Sequence, residues 1–166
     1  MQRVKLDRID RRILADLQED GRMTNVELAR RAGISAPPCL RRVRALEEAG
    51  VIRGYHAEIA PASLGFAVTI FAQVGLSSQA EADLRGFEER VLSWPEVREC
   101  HMLAGETDFL LKVVAHDWDD YQRFLTTQLT SAPNVSHVKS ALAIRASKSA
   151  PGIPIDIEAG PEADHE

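Results

Sequence analysis

The chain has 166 residues and a formal net charge of −5; 45% of its residues are hydrophobic and 27% are charged. This length fits one large domain or two small ones, and this balance is typical of an ordinary globular protein. No apolar run reaches the roughly 18 residues of a transmembrane helix, so we expect no membrane span and a cytoplasmic protein with two reduced cysteines.

The charge is distributed unevenly along the chain. Residues 1–60 carry 12 Lys and Arg against 9 Asp and Glu, a net charge of +3, whereas residues 61–166 carry 8 against 16, a net charge of −8. The positive charge is densest between Arg22 and Arg53. A locally basic module in an acidic protein indicates a polyanionic partner for that module alone.

Three helices are predicted in the first fifty residues. The first extends from Asp7 to Asp20. The second opens with a capping box formed by Thr24 and Glu27 and stops at Gly33. The third runs from Ala36 to about Ala49, with Ser35 as its N-cap, two prolines in its first turn, and a buried side marked by Leu40, Val43 and Leu46.

The short turn between the second and third helices predicts a helix-turn-helix unit, and residues 51–59 predict a pair of β-strands that forms a wing. The third helix is then the recognition helix, whose N-terminal end points at base edges while its arginines reach bases or phosphates. Arginines that merely solvate a helical bundle are the simpler alternative. The predicted DNA-binding residues are Ser35, Ala36, Pro37, Arg41, Arg42, Arg44 and Arg53.

Beyond a hinge at residues 61–65 the hydrophobic period changes to two. Strands are predicted at 68–76, 97–104, 109–115 and 135–145, and helices at 79–93 and from Asp117 onward. The order βαββαβ indicates a ferredoxin-like domain. The fold class is therefore α+β, with a winged helix-turn-helix domain at 1–60, a ferredoxin-like domain at 61–146 and a loosely ordered acidic tail at 147–166.

Both helices of a ferredoxin-like domain cover the same face of its sheet. The predicted strands carry few charges on either side, which indicates that the opposite face is also covered. Since no element of the chain remains to cover it, a second subunit is the natural candidate. A homodimer also suits a helix-turn-helix protein that binds two half-sites.

Several short motifs, each occurring once, are distributed along residues 6–146. They include Leu6-Asp7-Arg8-Ile9-Asp10, Gly33-Ile34-Ser35, Pro38-Cys39-Leu40, Arg42-Val43-Arg44, Gly54-Tyr55, Glu99-Cys100-His101 and Asp108-Phe109-Leu110-Leu111-Lys112. In these motifs the chain strongly resembles the Lrp/AsnC (leucine-responsive, or feast/famine) transcriptional regulators.

That resemblance implies dimers that assemble further, commonly to octamers, and a free amino acid bound between subunits of the C-terminal domain. It also implies regulation of genes of amino-acid metabolism. The family's effector loop reads Gly-Asp-aromatic-Asp, and here it is Gly105-Glu106-Thr107-Asp108. By resemblance, Asp108 faces the ligand's ammonium group and the amides near Gly105 face its carboxylate. The implied effector-binding residues are Met102, Ala104, Gly105, Glu106, Thr107, Asp108, Ala141, Leu142 and Ala143.

No motif of the sequence indicates catalysis, so we expect neither an enzyme nor a cofactor other than the effector. Cys100 and His101 would point to opposite faces of a strand, and we therefore expect no metal site there. Two alternatives to a site-specific regulator stay open. One is an architectural protein that wraps DNA with little sequence preference, and the other is a metabolite-binding module or enzyme with an incidental DNA-binding domain.

Overall fold

The computed structural model describes residues 5–158, which divide into two compact units. The first unit contains residues 5–58 together with 148–158, and the second is Ile59–Ser147. Among the described residues, no helix is long and apolar enough to cross a membrane.

The first unit is built on three short helices, as the sequence predicts: α1 (Arg8–Glu19), α2 (Asn25–Ala32) and α3 (Ala36–Glu48). Gly33 ends α2 in the left-handed conformation, with φ 71°, and this lets α3 begin only three residues later. Ile13, Leu28 and Leu46 form the buried centre of the unit. The helix-turn-helix arrangement is confirmed.

The buried side of α3 differs from the prediction at one position. Leu40 is an exposed side chain, 39% accessible, whereas Cys39 is fully buried, at 0%. The inward face therefore contains Cys39, Val43 and Leu46. The spacing of these residues, i, i+4 and i+7, fits a helix as well as the predicted set does, and the smaller thiol fits the short distance between helices.

The helix caps also differ from the prediction. The capping box lies at α1, where the Asp7 carboxylate accepts from the Asp10 amide (2.9 Å) and the Asp10 carboxylate accepts from the Asp7 amide (3.1 Å). At α2 the Thr24 hydroxyl accepts from the Glu27 amide (3.3 Å), but the Glu27 carboxylate is bound by two arginines instead of completing a box. Charged donors outcompete a backbone amide for a carboxylate.

The pair of wing strands predicted for residues 51–59 is wrong. That segment is extended, and no strand is assigned to any of its residues, all of which the structure describes. The Val51 and Ile52 amides both donate to the Leu46 carbonyl (3.0 and 3.1 Å), so the helix end takes the donors that a hairpin would need. The Tyr55 hydroxyl donates to the Glu47 carboxylate (2.9 Å) and holds the segment against α3.

The tail predicted to be loosely ordered packs on α1 over its described part. The Gln18 amide donates to the Ile153 carbonyl (2.7 Å) and its oxygen accepts from the Ile153 amide (3.0 Å). Further along, Arg8 pairs with Glu158 (3.0 Å). The acidic, proline-rich composition predicts a loosely ordered tail, but the paired hydrogen bonds with the Gln18 side chain order it locally. Residues 159–166 of the predicted tail lie outside the described residues.

The second unit contains β1 (Val68–Leu76), α4 (Glu81–Val91), β2 (Val97–Met102), β3 (Phe109–Ala115), α5 (Trp118–Phe124) and β4 (Val135–Leu142). The strands form one antiparallel sheet with the order β2-β3-β1-β4. This is the ferredoxin-like topology that the order βαββαβ predicts. A short 3₁₀ turn, Pro61–Leu64, precedes β1, and α5 continues as one turn of π-helix, Leu125–Leu129.

The two faces of this sheet have different environments. On the helix side, alternate residues of β1 and β3 such as Ile70 and Leu111 are fully buried with aromatic residues of the helices. On the other side Phe71 remains 39% exposed, between Lys112 of β3 and Ala141 of β4. The period-2 pattern predicts this division between faces.

We expect Gly152→Ala to detach the tail from α1. Gly152 has φ +70°, which an alanine adopts only with strain, and a Cβ there would overlap the Gln18 side chain. A cost of about 1 kcal/mol corresponds to roughly fivefold faster hydrogen exchange of residues 148–158. Gly86→Ala is the control, because a Cβ at Gly86 meets open space on α4. Equal exchange in the tails of both variants would contradict the docking described.

Candidate DNA-binding surface and effector loop

Arg42 braces α3 against α1. Its Nη1 donates to the Asp10 carboxylate (2.7 Å) and to the Asp7 carboxylate (2.8 Å), and its side chain is 33% exposed. The bonds to Asp10 and Asp7 raise the pKa of Arg42. Burial opposes ionisation of Asp7, but the Asp10 amide and Arg42 outweigh it and lower the pKa of Asp7. Arg42, one of the four predicted DNA-binding arginines, is therefore engaged in ion pairs within its own unit.

Arg41 and Arg44, on the same helix, are exposed. No ion pair within residues 5–158 involves either of them. One turn earlier, Pro37 is also exposed, and Ala36 is half-buried behind it. These residues form one continuous surface at the N-terminal half of α3, which we call the α3 outer face: Ala36, Pro37, Leu40, Arg41 and Arg44.

The start of α3 is fixed by α2. Asn25 Nδ2 donates to the Ala36 carbonyl (2.8 Å), which ties the first turn of α3 to the first turn of α2. Ser35 occupies the N-cap position, but its side chain makes no capping hydrogen bond to the described residues. Pro37 and Pro38 occupy the positions whose amides a cap would bind, and because they have no N–H, the missing cap bond leaves no donor unpaired there.

The arginines of α2 are already paired. Arg30 and Arg31 both donate to the Glu27 carboxylate (2.6 and 3.0 Å), and the bonds from Arg30 and then Arg31 lower the pKa of Glu27 to about 2. The Arg31 guanidinium also approaches the buried carboxylate of Asp16, which Arg12 pairs with at 2.9 Å. A buried charge requires such partners. These ion pairs engage the arginines of α2 within the unit.

Arg53 lies in the extended segment after α3 and is exposed. No ion pair of the described residues involves it. The same segment is anchored by Tyr55, whose pKa rises to about 12 because of burial and the bond to Glu47. Arg53 is therefore a third available cation of this unit, carried on a segment that is held in place.

The predicted effector loop connects β2 to β3 in the second unit. In this loop Asp108 also has a structural role that the sequence does not indicate. Its Oδ2 accepts from the Leu76 amide (2.6 Å) and lies 3.5 Å from the Gln79 amide nitrogen. The Asp108 backbone also bonds to Val74 and Leu103 (3.0 and 2.8 Å). The carboxylate thus joins the loop to the end of β1. Gly105, Glu106 and Ala104 are exposed, and Thr107 is half-buried.

The predicted pocket residues do not all lie together within one chain. Met102 is at the end of β2, beside the loop, whereas Ala141 and Leu142 are the last residues of β4 and Ala143 follows them. β2 and β4 are the two edges of the sheet, three strand spacings or about 14 Å apart, so residues 141–143 do not adjoin the loop and the expectation of adjoining strands is wrong. The crossing connections of a βαββαβ domain put the second and fourth strands at opposite edges. Leu142 is exposed and Ala143 half-buried there.

Two residues of these surfaces were missed from the sequence. The sequence pattern predicts Leu40 in the core, whereas Cys39, four residues before Val43, takes that place. Gln79, just beyond β1, approaches Asp108 only because the sheet brings the end of β1 beside the loop. No local pattern around Gln79 signals this long-range contact.

Comparison with protein families matches both units. Residues 6–53 match the winged helix-turn-helix DNA-binding family, and residues 69–153 match the Lrp/AsnC ligand binding domain. The chain is also 55% identical over 148 residues to a leucine-responsive regulatory protein of Rhizobium meliloti, covering 89% of this chain and 95% of the relative. The chain belongs to the Lrp/AsnC family of transcriptional regulators.

Other relatives of this Lrp/AsnC chain have related names. It is 43% identical over 141 residues to the Bkd operon transcriptional regulator of Pseudomonas aeruginosa, covering 85% of this chain and 92% of that one. Among solved structures, a transcriptional regulator of Neisseria meningitidis in complex with L-Met has a TM-score of 0.86 and 37% identity. The match covers 91% of this chain and 97% of that one. These relatives are named as regulators and not as enzymes.

We expect Arg42→Ala and Arg44→Ala to affect the stability of the folded protein differently. Removing Arg42 leaves two carboxylates without their cation and lowers the free energy of unfolding by about 1–3 kcal/mol. Removing the exposed Arg44 changes it by less than about 0.5 kcal/mol. Urea unfolding at pH 7 measures the free energy of unfolding of each variant and of the wild type.

The effect of Arg42 also depends on pH. A carboxyl whose pKa is lowered by folding stabilises the protein above its unfolded pKa, and this contribution is lost as the pH falls through the folded value. For Asp7 the unfolded value is 3.8, so the difference between wild type and Arg42→Ala shrinks below that pH. If Arg42→Ala and Arg44→Ala lowered the free energy of unfolding equally at pH 7, the stabilising role of the Arg42 ion pairs would be contradicted.

Proposed function

We propose that this Lrp/AsnC regulator binds specific DNA sites near genes of amino-acid metabolism and that an amino acid bound between its subunits modulates this binding. The observation that carries the DNA-binding part is the α3 outer face, where Arg41 and Arg44 are exposed while Arg42 is engaged with α1. Binding to chromosomal DNA would place the protein in the cytoplasm.

The placement of charge supports DNA as the partner. Phosphates attract unpaired guanidinium groups, and Arg41, Arg44 and Arg53 are exposed cations of the first unit. The N-terminal turn of α3, with Ser35, Ala36 and Pro37, is the part of a recognition helix that reaches base edges. Arg42 would act indirectly, by holding α3 in place.

A homodimer is supported by the sheet face that the helices leave exposed. Phe71 lies at its centre, and Leu110 and Val114 of β3 are half-buried on the same side. The face is mixed, since Lys112 and Ala141 pair with Phe71, but an aromatic residue left exposed at the centre of a sheet suits contact with another chain. By the family resemblance, such dimers assemble further, to an octamer.

The strand order supports an effector site that lies between subunits. Within one chain, Met102 and the loop Gly105–Asp108 are at one edge of the sheet and Ala141–Ala143 are at the other. Both sets can line one pocket if each comes from a different subunit. The name of the Neisseria meningitidis structure, which contains L-Met, makes an amino acid the class to test first.

We expect Arg41→Ala and Arg44→Ala each to weaken DNA binding. Each lost phosphate contact reduces the slope of log affinity against log salt by about 0.9. Fluorescence anisotropy with a duplex selected by the wild-type protein, repeated at several salt concentrations, measures affinity and slope. The same titration with random duplex separates specific binding from DNA wrapping, for which the affinity ratio is near one. Arg90→Ala, on α4 of the other unit, is the control. Wild-type slopes in both α3 variants would refute the assignment.

We expect one or more of the twenty amino acids to raise the melting temperature. At a ligand concentration of about 100 times Kd, binding to the folded state adds about 2.7 kcal/mol. Asp108→Asn keeps an acceptor for the Leu76 amide but removes the charge that would face the ligand's ammonium group. It should lose most of the shift, whereas Glu89→Gln, an exposed carboxylate of α4, should keep it. An unchanged shift in Asp108→Asn argues against the ammonium contact, and no shift with any amino acid argues against the effector.

A further inference from the structure

Leu40 is the largest apolar side chain of the α3 outer face, between Ala36 and Pro37 on one side and the cationic Arg41 and Arg44 on the other. It is 39% exposed, although the hydrophobic pattern of α3 would bury it. It lies one helical turn after Ala36 and Pro37 and one turn before Arg44, so all four side chains lie on neighbouring positions of the α3 outer face. No packing requirement explains a leucine at this position, because Cys39, Val43 and Leu46 already form the inward face.

The residues around Leu40 indicate which partner binds to this surface. Arg41 and Arg44 attract a polyanion to the same face, and the helix-turn-helix presents α3 to the major groove. Among the groups that a base pair shows in that groove, one is apolar, the C5-methyl group of thymine. A leucine cannot form hydrogen bonds with base edges. It gains free energy from a base only by burying apolar surface.

We infer that Leu40 contacts the C5-methyl group of a thymine and makes this regulator prefer T at one position of each half-site. The inference rests on the proposed DNA-binding function and adds a specificity-determining residue to it. The arginines would supply affinity that depends little on sequence, and Leu40 would supply a preference that depends on a single methyl group.

Replacing thymine by uracil tests this contact, because deoxyuridine lacks only the methyl group and keeps every hydrogen-bonding atom. The probe is a duplex selected by the wild-type protein from a random-sequence pool, in which each thymine is replaced by uracil one at a time. For the wild type, the critical replacement weakens binding about fourfold, the factor for withdrawing one methyl group from water. For Leu40→Ala, the uracil and thymine duplexes bind equally, and for Leu40→Val the ratio is intermediate.

Two further variants act as controls. Leu92→Ala removes an exposed leucine of the other unit, and Val26→Ala removes an exposed valine of α2; both should keep the fourfold ratio. Because each ratio compares two duplexes on one protein preparation, a partly unfolded variant does not change it.

Several results would overturn the inference. These are a wild type insensitive to uracil at every position, a Leu40→Ala variant with the wild-type ratio, and a ratio lost in Val26→Ala instead. Loss of all DNA binding in Leu40→Ala, with the other variants unaffected, would show that Leu40 is structural. If selection yields no preferred sequence, the proposed site-specific function fails together with the inference.

Discussion

The pairing of Arg42 with Asp7 and Asp10 fastens one flank of α3 to the start of α1. The inward face of α3 packs through Cys39, Val43 and Leu46, and the double ion pair adds a charged contact beside this packing. It thereby determines which arginines of a basic helix are structural and which remain available for DNA.

In the second unit, too, a single side chain fixes the position of a functional segment. Asp108 joins the β2–β3 loop to the end of β1 through the Leu76 amide, so the loop has a fixed position before any ligand arrives. A site on a preorganised loop binds with less ordering cost than a site on a flexible one. Under the proposed function, the separation of Met102 from residues 141–143 by the width of the sheet would connect ligand binding to subunit association.

Most of the fold could be predicted from the sequence because its signals are local. The helical spacing, the glycine stop at Gly33 and the change to a period of two define the elements and the order βαββαβ. The errors have non-local causes. The wing strands fail because the end of α3 uses their amide donors, and the tail is ordered by one glutamine more than a hundred residues away. Arg42 and Arg44 are equivalent in the sequence, and only the approach of α1 distinguishes them.

Footprinting of the arginines with phenylglyoxal, read by mass spectrometry with and without DNA, tests the central claim most directly. The α3 outer face predicts that Arg41 and Arg44 react readily in the free protein and become protected in the complex. It predicts that Arg42, held by two carboxylates, reacts slowly in both states. Arginines 41 and 44 that stay as reactive in the complex as in the free protein would contradict the account.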